Sequence, residues 1–182
     1  KGMPDYIPKE AEFILGDVRD RSTIEKALDG VDYIFHLAAY QDYLPDFSTF
    51  FHVNSVSTAL IYEIAVAKNL PIKKIIVASS QFVNGEGIYK DKEGNFIYPK
   101  RRSNDQLEKG QWDFKDKNGE PLEYIWTPET YACPPNQYAI SKYSQELMAL
   151  NFGERYNIPS VAMRYSIVQG SRQSFYNMYS GA

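Results

Sequence analysis

The sequence predicts an α/β fold built on a doubly wound parallel sheet, and three observations predict it. Near-continuous apolar runs at Phe13–Leu15, Val31–Leu37, Lys74–Ala78 and Ser160–Arg164 alternate with long helical patterns over 48–69 and 138–156. Strands that are apolar along their whole length belong in parallel sheets covered by helices on both faces. The small and polar residues gather just after those runs, at Asp17, Ala38-Ala39, Ser79-Ser80 and Arg164-Tyr165. Open α/β sheets bind ligands at that end of their strands.

In chain order, Phe13-Ile14-Leu15 reads as a short buried strand ending in the Gly16-Asp17 turn. Ser22 is the expected N-cap of a short helix, with Glu25 three residues on completing a capping box and Gly30 ending it. Val31–Leu37 is the second strand. Phe51, Ser55, Ala59, Tyr62 and Val66 recur at helical spacing through 48–69, and Pro71 stops that helix. Lys74–Ala78 is the third strand, 138–156 a second long helix, and Ser160–Arg164 the fourth strand. The whole of 1–182 reads as one domain interrupted by a long excursion at about 85–136.

Composition excludes several classes. A net charge of −3 and a sequence pI near 5.5 offer neither a nucleic-acid surface nor attraction to an anionic membrane. No apolar run of the sequence reaches the roughly 20 residues of a membrane span. A single cysteine, Cys133, precludes an internal disulfide and suits a reducing, cytoplasmic setting. No group of His, Cys and carboxylates has metal-ligand spacing. Within 85–136, Trp112 and Trp126 suggest that part of the excursion packs, and Lys100-Arg101-Arg102 reads as a solvated loop in preference to a phosphate contact.

Tyr138 and Lys142 carry the chemical signal. Four apart at the head of a helix, they share one face. Tyrosine titrates near pH 10, so work as a base near neutrality needs about 4 kcal/mol of differential stabilisation of the phenolate. One lysine supplies less, and a second positive charge in a dry pocket is needed. Taken alone, the pair reads equally well as an ordinary helical contact.

Taken in order, the motifs resemble the extended short-chain dehydrogenases/reductases, the nucleotide-sugar epimerases and dehydratases. Gly16-Asp17-Val18-Arg19-Asp20 resembles the acidic turn that meets the adenine, and His36-Leu37-Ala38-Ala39 the segment that lines the cofactor. Val53–Thr58 contains the family's helix asparagine, as Asn54. Ser79 through Gly85 resembles S-S-x-x-V-Y-G, with Ser80 as the catalytic hydroxyl. Tyr138 and Lys142 match Y-x-x-x-K, and Arg164-Tyr165 through Gln173 resembles R-Y-F-N-V-Y-G-P-R-Q. The excursion and the ending from Arg172-Gln173 to Tyr179-Ser180-Gly181 look most like nucleoside-diphosphate-sugar 4-epimerases of the dTDP-L-rhamnose 4-epimerase type.

The resemblance implies a Rossmann-type sheet, NAD as cofactor, a nucleoside-diphosphate sugar as substrate and a homodimer joined through the two long helices. It assigns Ser80, Tyr138 and Lys142 to catalysis. Asp17, Val18, Leu37, Ala38, Ala39, Asn54 and Ser79 fall to the cofactor, together with Tyr138 and Lys142. Gln81, Arg164, Tyr165 and Arg172 fall to the substrate. A dehydratase of this family carries an Asp-Glu pair after the catalytic hydroxyl; Gln81-Phe82 stands there instead, so epimerisation or reduction is expected over dehydration. The family's opening strand and G-x-x-G-x-x-G turn do not precede Phe13, and its substrate domain does not follow. The sheet is therefore expected to be incomplete, with an unpaired strand and an exposed edge. Asn84, Ile167 and Gln169 depart from the motifs, which keeps a catalytically idle scaffold open beside the epimerase and an NAD(P)-dependent reductase.

Overall fold

The computed structural model describes residues 6–42 and 44–173. The chain divides into two units. The first takes the described residues through Ser79 together with Ser144–Met163, and the second takes Ser80–Tyr143 with the described residues from Arg164 onward.

In the first unit, helix α1 (Arg21–Ala27) is capped by Asp20, whose carboxylate accepts from the amides of Ser22 at 3.1 Å and Thr23 at 3.3 Å. The cap lies two residues before the expected Ser22, whose hydroxyl donates to Asp20 at 2.8 Å. A carboxylate with several acceptor sites, carrying the charge that a helix N-terminus favours, displaces a lone hydroxyl from that role.

The predicted helix over 48–69 is three consecutive segments: α2 (Phe47–Phe50), a π-helical turn (Phe51–Val56) and α3 (Ser57–Ala67). The wider turn shifts the buried face, so that Asn54, Ser55, Ser57 and Thr58 all point inward. Their polar atoms are matched. Asn54 accepts from the Tyr40 amide at 2.7 Å and donates to the Tyr40 carbonyl at 3.0 Å, and Thr58 donates to the Asn54 carbonyl at 2.8 Å. Contrary to the expectation that no stretch reaches the length of a membrane span, Phe47–Ala67 runs 21 residues with a window of mean hydropathy 1.3. Its buried residues, among them Ile61, Tyr62 and Ile64, belong to the core of this unit, which accounts for the apolar composition.

Three parallel strands form the sheet in the order β1 (Tyr33–His36), β2 (Lys74–Ala78), β6 (Ser160–Met163). Phe35 pairs with Ile76, which pairs with Val161, so the register sets whole rows on one face. Ile75 and Val77 turn to the core with Ile61, Ile64, Ala149 and Ile158. Tyr62 sits there too, donating its hydroxyl to Ser160 at 2.7 Å. The expectation of cover on both faces is not met among the described residues. Tyr33, Phe35, Val161 and Met163 on the opposite face are exposed. Phe13–Leu15 is likewise not a strand: Phe13 and Leu15 are exposed, and among the described residues no ladder partner lies against them. A strand exists by its partner's hydrogen bonds, so apolar composition alone did not make one.

In the second unit, the excursion folds on itself into an antiparallel sheet in the order β4 (Phe96–Ile97), β3 (Ile88–Lys90), β5 (Glu123–Ile125), flanked by the short helix α4 (Asn104–Glu108). Tyr89 meets Phe114 and Tyr124 edge-on, with centroids 5.1 Å and 5.4 Å away. The tryptophans do not do the packing. Trp112 is 65% exposed and Trp126 94% exposed, while Phe114 and Ile88 are buried. Of the basic triplet, Arg102 is no solvated side chain: it pairs with Glu86 at 2.6 Å, donates to the Trp112 carbonyl at 2.7 Å and lies 4.1 Å from the Phe114 ring. Helix α5 (Gln137–Arg155) contributes its first residues, through Tyr143, to this unit and its remainder to the first.

Candidate active site

The second unit brings together the three residues expected to be catalytic. Ser80 leaves β2 in extended backbone (φ −152°, ψ 147°) and caps the 3-10 turn Gln81–Asn84, its hydroxyl oxygen accepting from the Phe82 amide at 3.2 Å. The Ser80 side chain lies near enough to the Tyr138 phenol to favour its ionised form. Lys142 follows one helical turn later, its ammonium 6.0 Å from the centre of the Tyr138 ring. The stem of Lys142 is almost wholly covered, at 2% exposure.

Burial dominates the electrostatics here. It raises the Tyr138 phenol above its ordinary value, and the nearby Ser80 side chain opposes that only in part. It pushes the Lys142 ammonium down to about 8. Both shifts have one cause, since covered surroundings disfavour whichever form is charged. At neutral pH the chain's own groups therefore leave a neutral phenol beside a largely protonated lysine.

Of the expected substrate residues, the Gln81 amide donates to the Tyr165 carbonyl at 2.9 Å, which joins the start of the turn to the segment after β6. Arg164 donates to the Asn84 side chain at 2.6 Å and to the Tyr131 carbonyl at 2.8 Å. Arg172 is exposed in a turn of its own with φ 68°, closed by the Gln173 amide on the Gly170 carbonyl at 3.2 Å. The Tyr179-Ser180-Gly181 ending lies outside the described residues.

The residues expected at the cofactor fall in the first unit. Asp17 is exposed and held down to about 2 by the hydrogen bonds of Arg19, whose guanidinium reaches it at 2.6 Å. Val18 is half-buried beside the core. Leu37, Ala38 and Ala39 continue β1, Leu37 at 59% exposure. Asn54 is clamped to the Tyr40 backbone and so shapes the loop that follows the two alanines. Ser79 turns inward and donates to Glu146 at 2.9 Å. Among the described residues no cluster of three or more His, Cys, Asp and Glu side chains can hold a metal.

Sequence reasoning missed three contributors. Glu146, buried at 7% exposure, anchors Ser79, and its position four residues after Lys142 was the available signal. Asn84 accepts from Arg164 at 2.6 Å. Phe82 meets Tyr138 edge-on, ring centres 6.3 Å apart at 82°. Asn84 stands out in the sequence only as a departure from the motif, and no local pattern marks either contact, because each joins segments far apart in the chain.

A family model described as male sterility protein, an NAD-binding family, matches residues 12–181. The chain belongs to this family of the extended short-chain dehydrogenases/reductases. A curated relative, dTDP-L-rhamnose 4-epimerase of Burkholderia thailandensis, is 29% identical over 183 residues, covering 98% of this chain and 50% of the relative. The chain thus spans about half the length of that curated relative. The solved UDP-glucose 4-epimerase of Thermus thermophilus in complex with NAD shares the fold, with a TM-score of 0.63 at 22% identity over 98% of this chain and 48% of that one. The UDP-N-acetylglucosamine 4-epimerase of Methanobrevibacter ruminantium, in complex with UDP-N-acetylmuramic acid, gives a TM-score of 0.61 at 27% identity, covering 93% and 44%. The chain itself has a parallel sheet, with the Y-x-x-x-K pair leading α5.

Proposed function

We propose that the whole protein is an NAD-dependent epimerase of nucleoside-diphosphate sugars that inverts C4 through a transient keto-sugar. The observation that carries this reading is the placement of Ser80, Tyr138 and Lys142 within one unit, with the lysine one helical turn from the tyrosine and its ammonium 6.0 Å from the phenol ring. In this reading Tyr138 takes the proton of the C4 hydroxyl and later returns it to the inverted centre. Ser80 donates to the same sugar oxygen and holds it while its charge changes. NAD, when bound beside Tyr138 and Lys142, would supply the reversible hydride acceptor that C4 needs. Lys142 holds the nicotinamide ribose and favours the phenolate.

The residues fit such a cofactor. A lysine kept at about 8 by burial still carries most of its charge at neutral pH, where it can face hydroxyl groups and a phenolate together. Ala38 and Ala39 leave little bulk after β1, and Asp17 and Val18 offer a carboxylate and a backbone edge to an adenine. Gln81, Arg164, Tyr165 and Arg172 are assigned to the nucleotide sugar. Neither Gln81 nor Phe82 has a side chain that transfers protons, which favours epimerisation over loss of water. The exposed Leu147 and Leu150 of α5 and the exposed Val56 and Val66 suit a homodimer built on these helices.

The test is to denature the full native protein and measure released NAD by absorbance and fluorescence, then to assay nucleoside-diphosphate sugars for C4 inversion. NAD in near-equal amount, with inversion, supports the epimerase. A protein that comes off empty yet consumes NADPH with a nucleotide sugar is a reductase. One that holds no cofactor and turns over no sugar is a scaffold, and the proposal fails.

A further inference from the structure

We propose that Phe82 is a positioning residue for the catalytic pair, its ring bracing the Tyr138 phenol while its amide orients the Ser80 hydroxyl. This rests on the reading of Tyr138 as the acid/base.

The turn that carries Phe82 is held from several sides. The Val83 amide donates to the Ser80 carbonyl at 3.1 Å, the Gly85 amide to the Phe82 carbonyl at 3.2 Å, and the Cys133 amide to the Val83 carbonyl at 2.8 Å. Val83 is fully buried. Gly85 has φ +60°, and a Cβ there would meet the Cys133 carbonyl at 2.5 Å, so the turn admits no side chain at that point. Phe82 is therefore presented from a fixed backbone, as a positioning group needs to be.

Its two contacts act on different members of the pair. Serine has one hydroxyl proton and two lone pairs. With the Phe82 amide donating to the Ser80 oxygen at 3.2 Å, a lone pair is taken and the hydroxyl proton remains available to a second partner. The Phe82 ring meets Tyr138 nearly perpendicular, at 82° with centres 6.3 Å apart, the edge-to-face arrangement that aromatic quadrupoles favour. Phe82 itself is 45% exposed. The ring thus closes one side of the phenol and narrows the angles through which it can swing.

The amide survives any side-chain substitution except proline, so Phe82→Leu isolates the ring. In the full native protein, Phe82→Leu is expected to lower kcat by roughly twofold to twelvefold, the span of an aromatic pair's energy expressed as a rate, with KM and bound NAD unchanged. Phe82→Tyr keeps an aromatic edge and is expected to recover most of the rate. A second readout is independent of turnover. The ring-carbon NMR resonance of Tyr138, assigned by its loss in Tyr138→Phe, is expected to shift in Phe82→Leu and to stay near its place in Phe82→Tyr. An unmoved resonance in Phe82→Leu, or a kcat within twofold of the native protein, overturns the inference while leaving the epimerase reading intact. A native protein that inverts no nucleotide sugar overturns the functional reading and, with it, any role of the ring in catalysis.

Discussion

Arg164 donates through Nη1 to Oδ1 of Asn84 at 2.6 Å, and the same nitrogen reaches the Tyr131 carbonyl at 2.8 Å. The family motif places tyrosine where Asn84 stands. The shorter amide meets a guanidinium that the motif alone assigns to substrate. The chain has thus tied the segment after β6 to the turn after β2 through a charge-assisted bond.

That bond predicts a stability effect. Asn84→Leu removes the acceptor and leaves a half-buried guanidinium short of one partner, at a cost of about 1–3 kcal/mol. Urea denaturation of the full native protein measures it. A midpoint unchanged by the substitution would show that water replaces Asn84 at no cost.

Removing the Tyr138 hydroxyl separates binding from chemistry. Tyr138→Phe keeps the ring that Phe82 packs against and loses the ionisable hydroxyl. Turnover is expected to fall about 10²- to 10⁴-fold, the range general acid–base catalysis supplies, while the NAD released on denaturation stays the same. Retained turnover would move the acid/base role to another residue.

The depressed Lys142 carries a pH signature in stability. Its folded value of about 8 lies below the ordinary 10.5, so between those values the unfolded chain binds more protons than the native one. Stability then rises with pH across that window, and below pH 8 the full cost of burying the charge is present. Lys142→Met removes that cost and is expected to stabilise the protein at pH 7 by up to about 3 kcal/mol. The gain over the native protein should shrink between pH 8 and 10.5. Parallel unfolding curves at pH 7, 8, 9 and 10 measure it, and a constant difference would remove the ammonium as the cause.

Gly153 reports the seating of α5 on the start of β6. A Cβ at this position would lie 2.6 Å from the Ser160 hydroxyl and 2.9 Å from the Ile158 carbonyl. Gly153→Ala is expected to cost about 1–3 kcal/mol by overpacking, despite the better helix propensity of alanine. A lower thermal midpoint checks it; a higher one would mean that propensity outweighs the clash.

By itself, the sequence determined the parallel α/β class, the positions of β1, β2 and β6, the long helix that carries Tyr138 and Lys142, and the order of the family's motifs. Those features rest on local periodicity and on spacing within one element, which the residues spell out directly. Tertiary structure decided the rest. Phe13–Leu15 has strand composition but no ladder among the described residues, because a strand depends on a neighbour that its own residues do not name. The π turn at Phe51–Val56 appears because Asn54, Ser55, Ser57 and Thr58 find partners inside the first unit, a gain invisible to a 3.6-residue count. The excursion packs on Phe114 and Arg102 and leaves both tryptophans outside, so side-chain size did not choose what to bury. The titration of the Tyr138–Lys142 pair follows the same division: spacing put the two groups on one face, and burial set how each holds its proton.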